Sequence, residues 1–440
     1  SLALVARGLE GGLERGGESG IRSHLGRRLL DEDEGGDAGG DADGGDDEPS
    51  PGATPVAAAS QPSPAHAMIG LRTITPPGKQ PTLDAWIDVD LLPWKQSGIT
   101  RVMVANAAKL GMRTCRFQII NGKLYGSPKY TTRGPSRIWY AAWGLLDLLA
   151  KHGSKVPNVD IVIQVQDDPQ VHIRQKSKSA RGRVQQYEIG GRNAPPPMFS
   201  AVTTAGSYDI LWPLWTIWGE DVPGASASKG GFHDPPWDVN FPKIVGAAKS
   251  KPWAKRKNKA FWRGSAKTSP LRRTLIACKQ RKQIDAATVE HKLGKGKAIS
   301  AHHRSDHKYI IYMDGKTFSG GMLAMIPAGT VMFIPHSSFY TFYSRPWIAA
   351  GHFVRFDRQD KNICANISAS VEHMENNPKE AEEMARKGQE WAERELAPSS
   401  VYNYMLKMLQ AYAKLQRYEP RRMGGQITLS KVKGHVKRKK

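Results

Sequence analysis

Residues 261–272 read Phe-Trp-Arg-Gly-Ser-Ala-Lys-Thr-Ser-Pro-Leu-Arg. The stretch places three cations, three small hydroxyl residues and a glycine at the point where a short strand would turn into a helix. Arg263, Lys267 and Arg272 have the charge to neutralise a diphosphate, and arginine can hold two phosphate oxygens at once. Gly264 lets the backbone approach a ligand closely. Ser265 and Thr268 offer hydroxyls. Ser269 suits an N-cap and Pro270 the first helical position, and a helix start presents unpaired amides to an anion. The same residues also describe an ordinary strand–turn–helix junction with solvated charges, and the spacing is not that of a Walker A loop.

A second junction has the same form. Lys308–Met313 reads as a strand, followed by Asp314 and Gly315, then Lys316, Thr317, Phe318, Ser319, Gly320 and Gly321. Ser319 is placed to cap a helical stretch from Met322. Two such loops leaving strand ends in one domain predict a nucleotide crevice. The carboxylate to pair with it is Asp167, in Asp167-Asp168-Pro169 after the apolar run Ile161–Val165. At a strand end, a carboxylate can take the proton from an acceptor hydroxyl. An Asp-Pro turn that simply stops a strand has the same sequence.

Other chemistry-bearing residues have plainer readings. Trp212, Trp215 and Trp218 could stack on a sugar ring, but their spacing favours core packing. Asp88-Val-Asp90 has the form of a metal-binding DxD and is taken as incidental. His302, His303 and His307 match no zinc spacing and predict a solvated loop. Cys115, Cys278 and Cys364 show no CxxC pattern, allow at most one disulfide and read as core or incidental residues. Asn366-Ile-Ser368 is a glycosylation sequon whose meaning depends on compartment.

The elements that must position these residues follow from pattern. The 440 residues exceed one ordinary core and predict two domains. Residues 1–65 are rich in Gly, Ala, Asp, Ser and Pro and predict a disordered linker or stem. Ile99–Gly111 predicts a helix, Cys115–Ile120 a strand, and Asn121-Gly122 a hairpin turn. Ser136–His152 predicts a helix and Val159–Val165 a buried strand. Alternation of strands and helices continues to Ile334, which predicts α/β domains with parallel sheets. Pro378–Arg417 predicts helices, and 419–440 a basic tail. The formal net charge is +23, although residues 31–48 hold ten acidic residues and no basic one. Such a basic body attracts polyanions or phosphorylated ligands. No zinc-finger or RNA-recognition signature accompanies it. No apolar run reaches the roughly 18 residues needed to cross a bilayer, and the start at Ser1 leaves room for a signal or membrane anchor upstream.

In order and spacing, Phe117–Tyr125, Ile163–Val171, Tyr208–Trp218, Phe261–Ser265, Thr268–Pro270 and the block from Lys308 to Asp357 resemble glycosyltransferase family 90, the capsule-associated and protein O-glucosyltransferase (Rumi-like) group. The resemblance implies a GT-B fold: an acceptor-side domain at 66–225, a donor domain at 226–377, and helices at 378–418 returning to the first domain. It implies inverting, metal-independent and cofactor-free transfer of glucose or xylose from a UDP-sugar to a protein or polysaccharide acceptor in the endoplasmic reticulum or Golgi lumen. Under it the catalytic base is Asp167, and the donor contacts are Ser265 and Arg272 with the loop Lys316–Gly320. Trp215, Trp218 and Asp168 fall on the acceptor side. Two departures stand out. Gly321 occupies a position where the group's protein O-glucosyltransferases carry arginine, with Lys267 or another cation as the compensating charge. Tyr130 and Ser136 replace an acceptor-side cysteine pair. A catalytically inactive glycan-binding relative, or a nucleic-acid-binding protein, is the alternative reading.

Overall fold

The run Val159–Gln164 is apolar at four of its six positions and buried throughout, as expected of a strand covered on both faces. The computed structural model describes residues 81–430, apart from 111–112, 133–135, 177–183, 188, 190–192, 220–234, 290–298 and 357–361. The predicted stem at 1–65, the pattern start at Met68–Thr73 and the tail from 431 lie outside the described residues. Val159–Gln164 is central in a six-stranded sheet ordered Ile427–Thr428, Lys123–Gly126, Thr114–Ile120, Val159–Gln164, Phe199–Ser200, Ile210–Leu211. The Asn121-Gly122 turn forms as predicted, with positive φ at both residues (48° and 71°), and pairs Ile120 with Lys123. That hairpin makes one half of the sheet antiparallel; only Phe199–Ser200 and Ile210–Leu211 run parallel to their neighbours. The first sheet is therefore mixed, where sequence alternation alone predicts a parallel one.

The second sheet is parallel throughout. Its order is Ile284–Thr288, Lys257–Gly264, His307–Ile311, Val331–Pro335, Phe353–Phe356. Numbered along the chain, this is 2-1-3-4-5, a doubly wound order whose direction reverses between Lys257–Gly264 and His307–Ile311. A ligand crevice forms outside the carboxyl ends of strands at such a switch point. The loops that leave those two ends are Ser265–Ser269 and Tyr312–Gly321.

Helices close the structure. Arg101–Ala107 is shorter than predicted and is capped by Thr100, whose Oγ1 accepts from the Met103 N–H at 3.3 Å. Ser136–His152 forms as predicted. The C-terminal run divides into Pro378–Glu395 and Pro398–Leu415, each opened by proline. Ile363, Ile367 and Val371 of helix Ile363–Asn376 pack in one core with the second sheet. Val401, Met405, Leu409 and Tyr412 of the last helix join the core of the first, where Tyr412 Oη donates to the Asp160 carbonyl at 3.1 Å. Burying each such side chain contributes about 1.5–3 kcal/mol. Two cysteines are not incidental: Cys278 and Cys364 form a disulfide, tying the chain just beyond the C-cap of helix Pro270–Ile276 to helix Ile363–Asn376. Among the described residues no helix is long and apolar enough to cross a membrane.

Candidate functional site

The switch-point loops form one wall of an open cleft of about 2110 Å³, solvent at its mouth included, and the end of strand Val159–Gln164 forms the other. Arg263, Gly264, Ser265, Thr268 and Arg272 line it together with Lys316, Thr317, Phe318, Ser319 and Gly320. Asp167, Asp168 and Trp215 line the facing side. Residues about a hundred positions apart in sequence thus share one space. Two sequence candidates do not. Lys267 is exposed and outside the lining. Trp218 is 1% exposed, with Nε1 donating to Tyr402 Oη at 3.1 Å; it is a core residue, as is Trp212 against Phe199.

Arg272 ties the two switch-point loops together. It is nearly buried, and its Nη1 donates to the Ser265 carbonyl (3.1 Å) and to Thr268 Oγ1 (2.8 Å). Nη2 donates to the Met313 carbonyl at 2.8 Å. One guanidinium therefore joins both switch-point loops, and Nε remains without a hydrogen-bond partner. Burial pulls its pKa down, against the opposing fields of Tyr312 and Asp314. Arg263 behaves differently. It donates to the Asp285 carboxylate (2.8 Å) and to the Asp285 carbonyl (2.8 Å) on the neighbouring strand, so part of its donor set is spent within the sheet. Ser269 holds the N-cap position with extended backbone but makes no side-chain cap.

In the second loop, Tyr312 Oη donates to Asp314 Oδ1 at 2.7 Å and accepts from the Ser319 N–H at 3.0 Å. Ser319 does not cap the following helix. That position is Gly321, and the helix is the single turn Met322–Met325. The loop is instead shaped from below by a buried tyrosine.

On the facing wall, Asp167 is 55% exposed as a side chain and accepts from Arg137 Nη1 at 3.0 Å. The Arg137 guanidinium lies 3.8 Å from the centre of the Trp215 ring. The turn is not a bare Asp-Pro stop. Gln164 accepts from the Gln166 N–H (2.6 Å) and donates to the Asp168 carbonyl (3.0 Å). Asp209, fully buried, accepts from the N–H groups of Gln170 and Val171, each at 2.9 Å, and from Ser200 Oγ at 2.5 Å. Burial raises the Asp209 pKa, and these hydrogen bonds oppose the shift. A carboxylate loses its hydration when buried, so such donors are what make its burial tolerable. Asp168 accepts from Gln170 Nε2 at 2.9 Å.

Sequence reasoning misses Arg137, Gln164, Asp209, Arg113 and Arg304, all in or directly behind the cleft walls. Asp209 had a signal, an acid inside the apolar run Tyr208–Trp212. Arg304 was hidden beside His302 and His303. The remaining candidates resolve as structural groups. Asp90 forms a buried pair with Arg345 at 2.6 Å, and Asp88 pairs with Lys95 at the surface. His307 is not in a solvated loop: it begins a strand, stacks on Phe261 at 4.0 Å, and has its pKa lowered to about 4, mainly by burial. His303 pairs with Asp306. The sequon at Asn366 lies within helix Ile363–Asn376, with Ser368 buried.

A doubly wound sheet whose cationic switch-point loops share one cleft with a braced carboxylate has the parts that a group-transfer reaction needs. Residues 78–437 match the model of glycosyl transferase family 90. The chain belongs to that family and is a glycosyltransferase. It is 25% identical over 354 residues to Protein O-glucosyltransferase 1 of Homo sapiens, covering 77% of this chain and 81% of that protein. To O-glucosyltransferase rumi of Drosophila melanogaster it is 24% identical over 348 residues, 75% of this chain and 76% of that one. The O-glucosyltransferase rumi homolog of Aedes aegypti is 26% identical over 353 residues, 76% and 79% of the two chains.

Proposed function

We propose that this glycosyltransferase moves glucose or xylose from a UDP-sugar to a hydroxyl of a protein or polysaccharide acceptor, with inversion and without a metal or other cofactor. The two sheets are then the cores of two Rossmann-like domains of a GT-B fold, at 66–225 and 226–377. The observation that carries the reading is the placement of Asp167 across one cleft from both switch-point loops. Asp167 takes the proton of the acceptor hydroxyl as that oxygen bonds to the anomeric carbon. The bond from that carbon to the β-phosphate oxygen breaks in the same displacement, and UDP leaves with the electron pair. Arg272, Ser265, Thr268 and the loop Lys316–Gly320 hold the diphosphate where this charge grows. Arg137 and Trp215 frame the acceptor side, with Asp168 at its edge. The Cys278–Cys364 disulfide supports an oxidising compartment such as the endoplasmic reticulum lumen.

The test is Asp167→Asn, assayed by UDP calorimetry and by transfer from a panel of UDP-sugars. Retained UDP affinity with transfer reduced at least about 100-fold is expected from loss of a general base. Transfer at the wild-type rate rejects Asp167 as the base, and absence of UDP binding by the wild-type protein rejects the donor assignment.

A further inference from the structure

Gly321 has no backbone reason to be glycine. Its φ of −60° and ψ of −20° are values every residue adopts. What distinguishes the position is the space beside it. A Cβ there would lie 3.7 Å from Ser319 Oγ and from Met325 Cε, and 4.0 Å from Arg304 Nη2. Alanine would sit there in ordinary van der Waals contact, and a longer side chain would have to share the space bordered by Ser319, Met325 and the Arg304 guanidinium. Arg304 comes from the 3-10 turn Ala301–Asp306, which precedes strand His307–Ile311, and it lines the cleft beside Lys316–Gly321. Its wall is cationic, with Arg272 and Lys316 also in the lining. The lining acids among the described residues, Asp167 and Asp168, belong to the facing wall. A guanidinium so placed suits a polyanionic group bound at the loop.

We propose that Arg304 is a phosphate-binding residue of the donor cleft, and that position 321 is glycine to leave its guanidinium room. The proposal rests on the nucleoside-diphosphate reading of the cleft. It makes the cleft's phosphate affinity depend on two residues from different elements: Arg304 supplies the charge and Gly321 the access. Lys267, exposed and outside the cleft, does not take this part.

Calorimetry on the full chain with UDP and with uridine separates the outcomes. Arg304→Ala is expected to weaken UDP about 10- to 100-fold, the range for losing a charge-assisted hydrogen bond, while uridine changes less than about 2-fold. Gly321→Leu, which leaves Arg304 in place but fills its space, is expected to show the same selective loss and decides the matter if Arg304→Ala does not fold. Arg304→Ala combined with Gly321→Arg is expected to recover part of the UDP affinity by returning a cation to the wall. Unchanged UDP affinity in both single variants overturns the proposal while leaving the donor reading intact. An equal loss for uridine and UDP also overturns it, because the effect would then not lie in the phosphates. Failure of the wild-type chain to bind UDP removes the donor reading itself.

Discussion

Replacing Cys278 and Cys364 together by alanine tests how much of this fold is held by one covalent link. The two residues are 86 apart in sequence. Closing a loop of that size removes conformational entropy from the unfolded chain worth about 4.5 kcal/mol at 25 °C on the chain-entropy relation. With an unfolding entropy of about 2.1 cal/mol/K per residue over the roughly 305 described residues, the melting midpoint should fall by about 7 °C. Packing adds little to this figure, since alanine preserves most of the small buried volume at Cys278. The assay is thermal unfolding of wild type and variant, each with and without reductant. Wild type in reductant should fall to the variant's midpoint, and the variant should not respond. Thiol titration in denaturant without reductant should find one reactive group, from Cys115, the free buried cysteine. Three reactive thiols would refute the pairing. A double variant with an unchanged midpoint would refute the loop-closure argument even with the bond present. Because Cys278 lies just past the C-cap of the helix opened by Ser269 and Pro270, UDP affinity should also weaken on reduction.

Two further outcomes follow from buried groups. His307 is neutral in the folded protein down to about pH 4, whereas an unfolded histidine binds its proton near pH 6.5. The unfolded state therefore takes up the proton first, and stability present above pH 6.5 should decline by about 3 kcal/mol as pH falls to 4. His307→Gln should flatten that part of a denaturant-midpoint-against-pH curve, and an unaltered slope would exclude His307 as its source. Asp209→Asn keeps the shape behind the Asp167 turn but replaces acceptor oxygens by an amide, which should cost about 1–3 kcal/mol of stability. Turnover should fall roughly tenfold through displacement of the turn, with UDP affinity unchanged; a change in UDP affinity without one in turnover would contradict this positioning role.

The features legible in the sequence are those set by neighbours along the chain. Asn121-Gly122 allows only a narrow set of turns, and the hairpin forms there. The apolar run at Val159–Gln164 has to be a buried strand. Loops rich in glycine and hydroxyl residues after 264 and 314 could be placed at strand ends because turn chemistry is local. The limits came where local rules compete. Ser319 looks like a cap, but Tyr312 captures its N–H and the cap position falls on Gly321, with the helix starting at Met322. His302, His303 and His307 look alike as a surface cluster, yet strand pairing buries the third.

The sequence by itself determined the strand and loop order, the hairpin and the two loops rich in glycine and hydroxyl residues, since backbone sterics and hydrophobic periodicity act over a few residues. Only the tertiary structure decided which distant groups meet. It set Asp90 against Arg345 and Cys278 against Cys364, braced the Asp167 turn with Gln164 and Asp209, and brought Arg304 to the space beside Gly321. Charge pairing and access depend on side-chain positions after packing, and residues far apart in the chain carry no local signal of their partners.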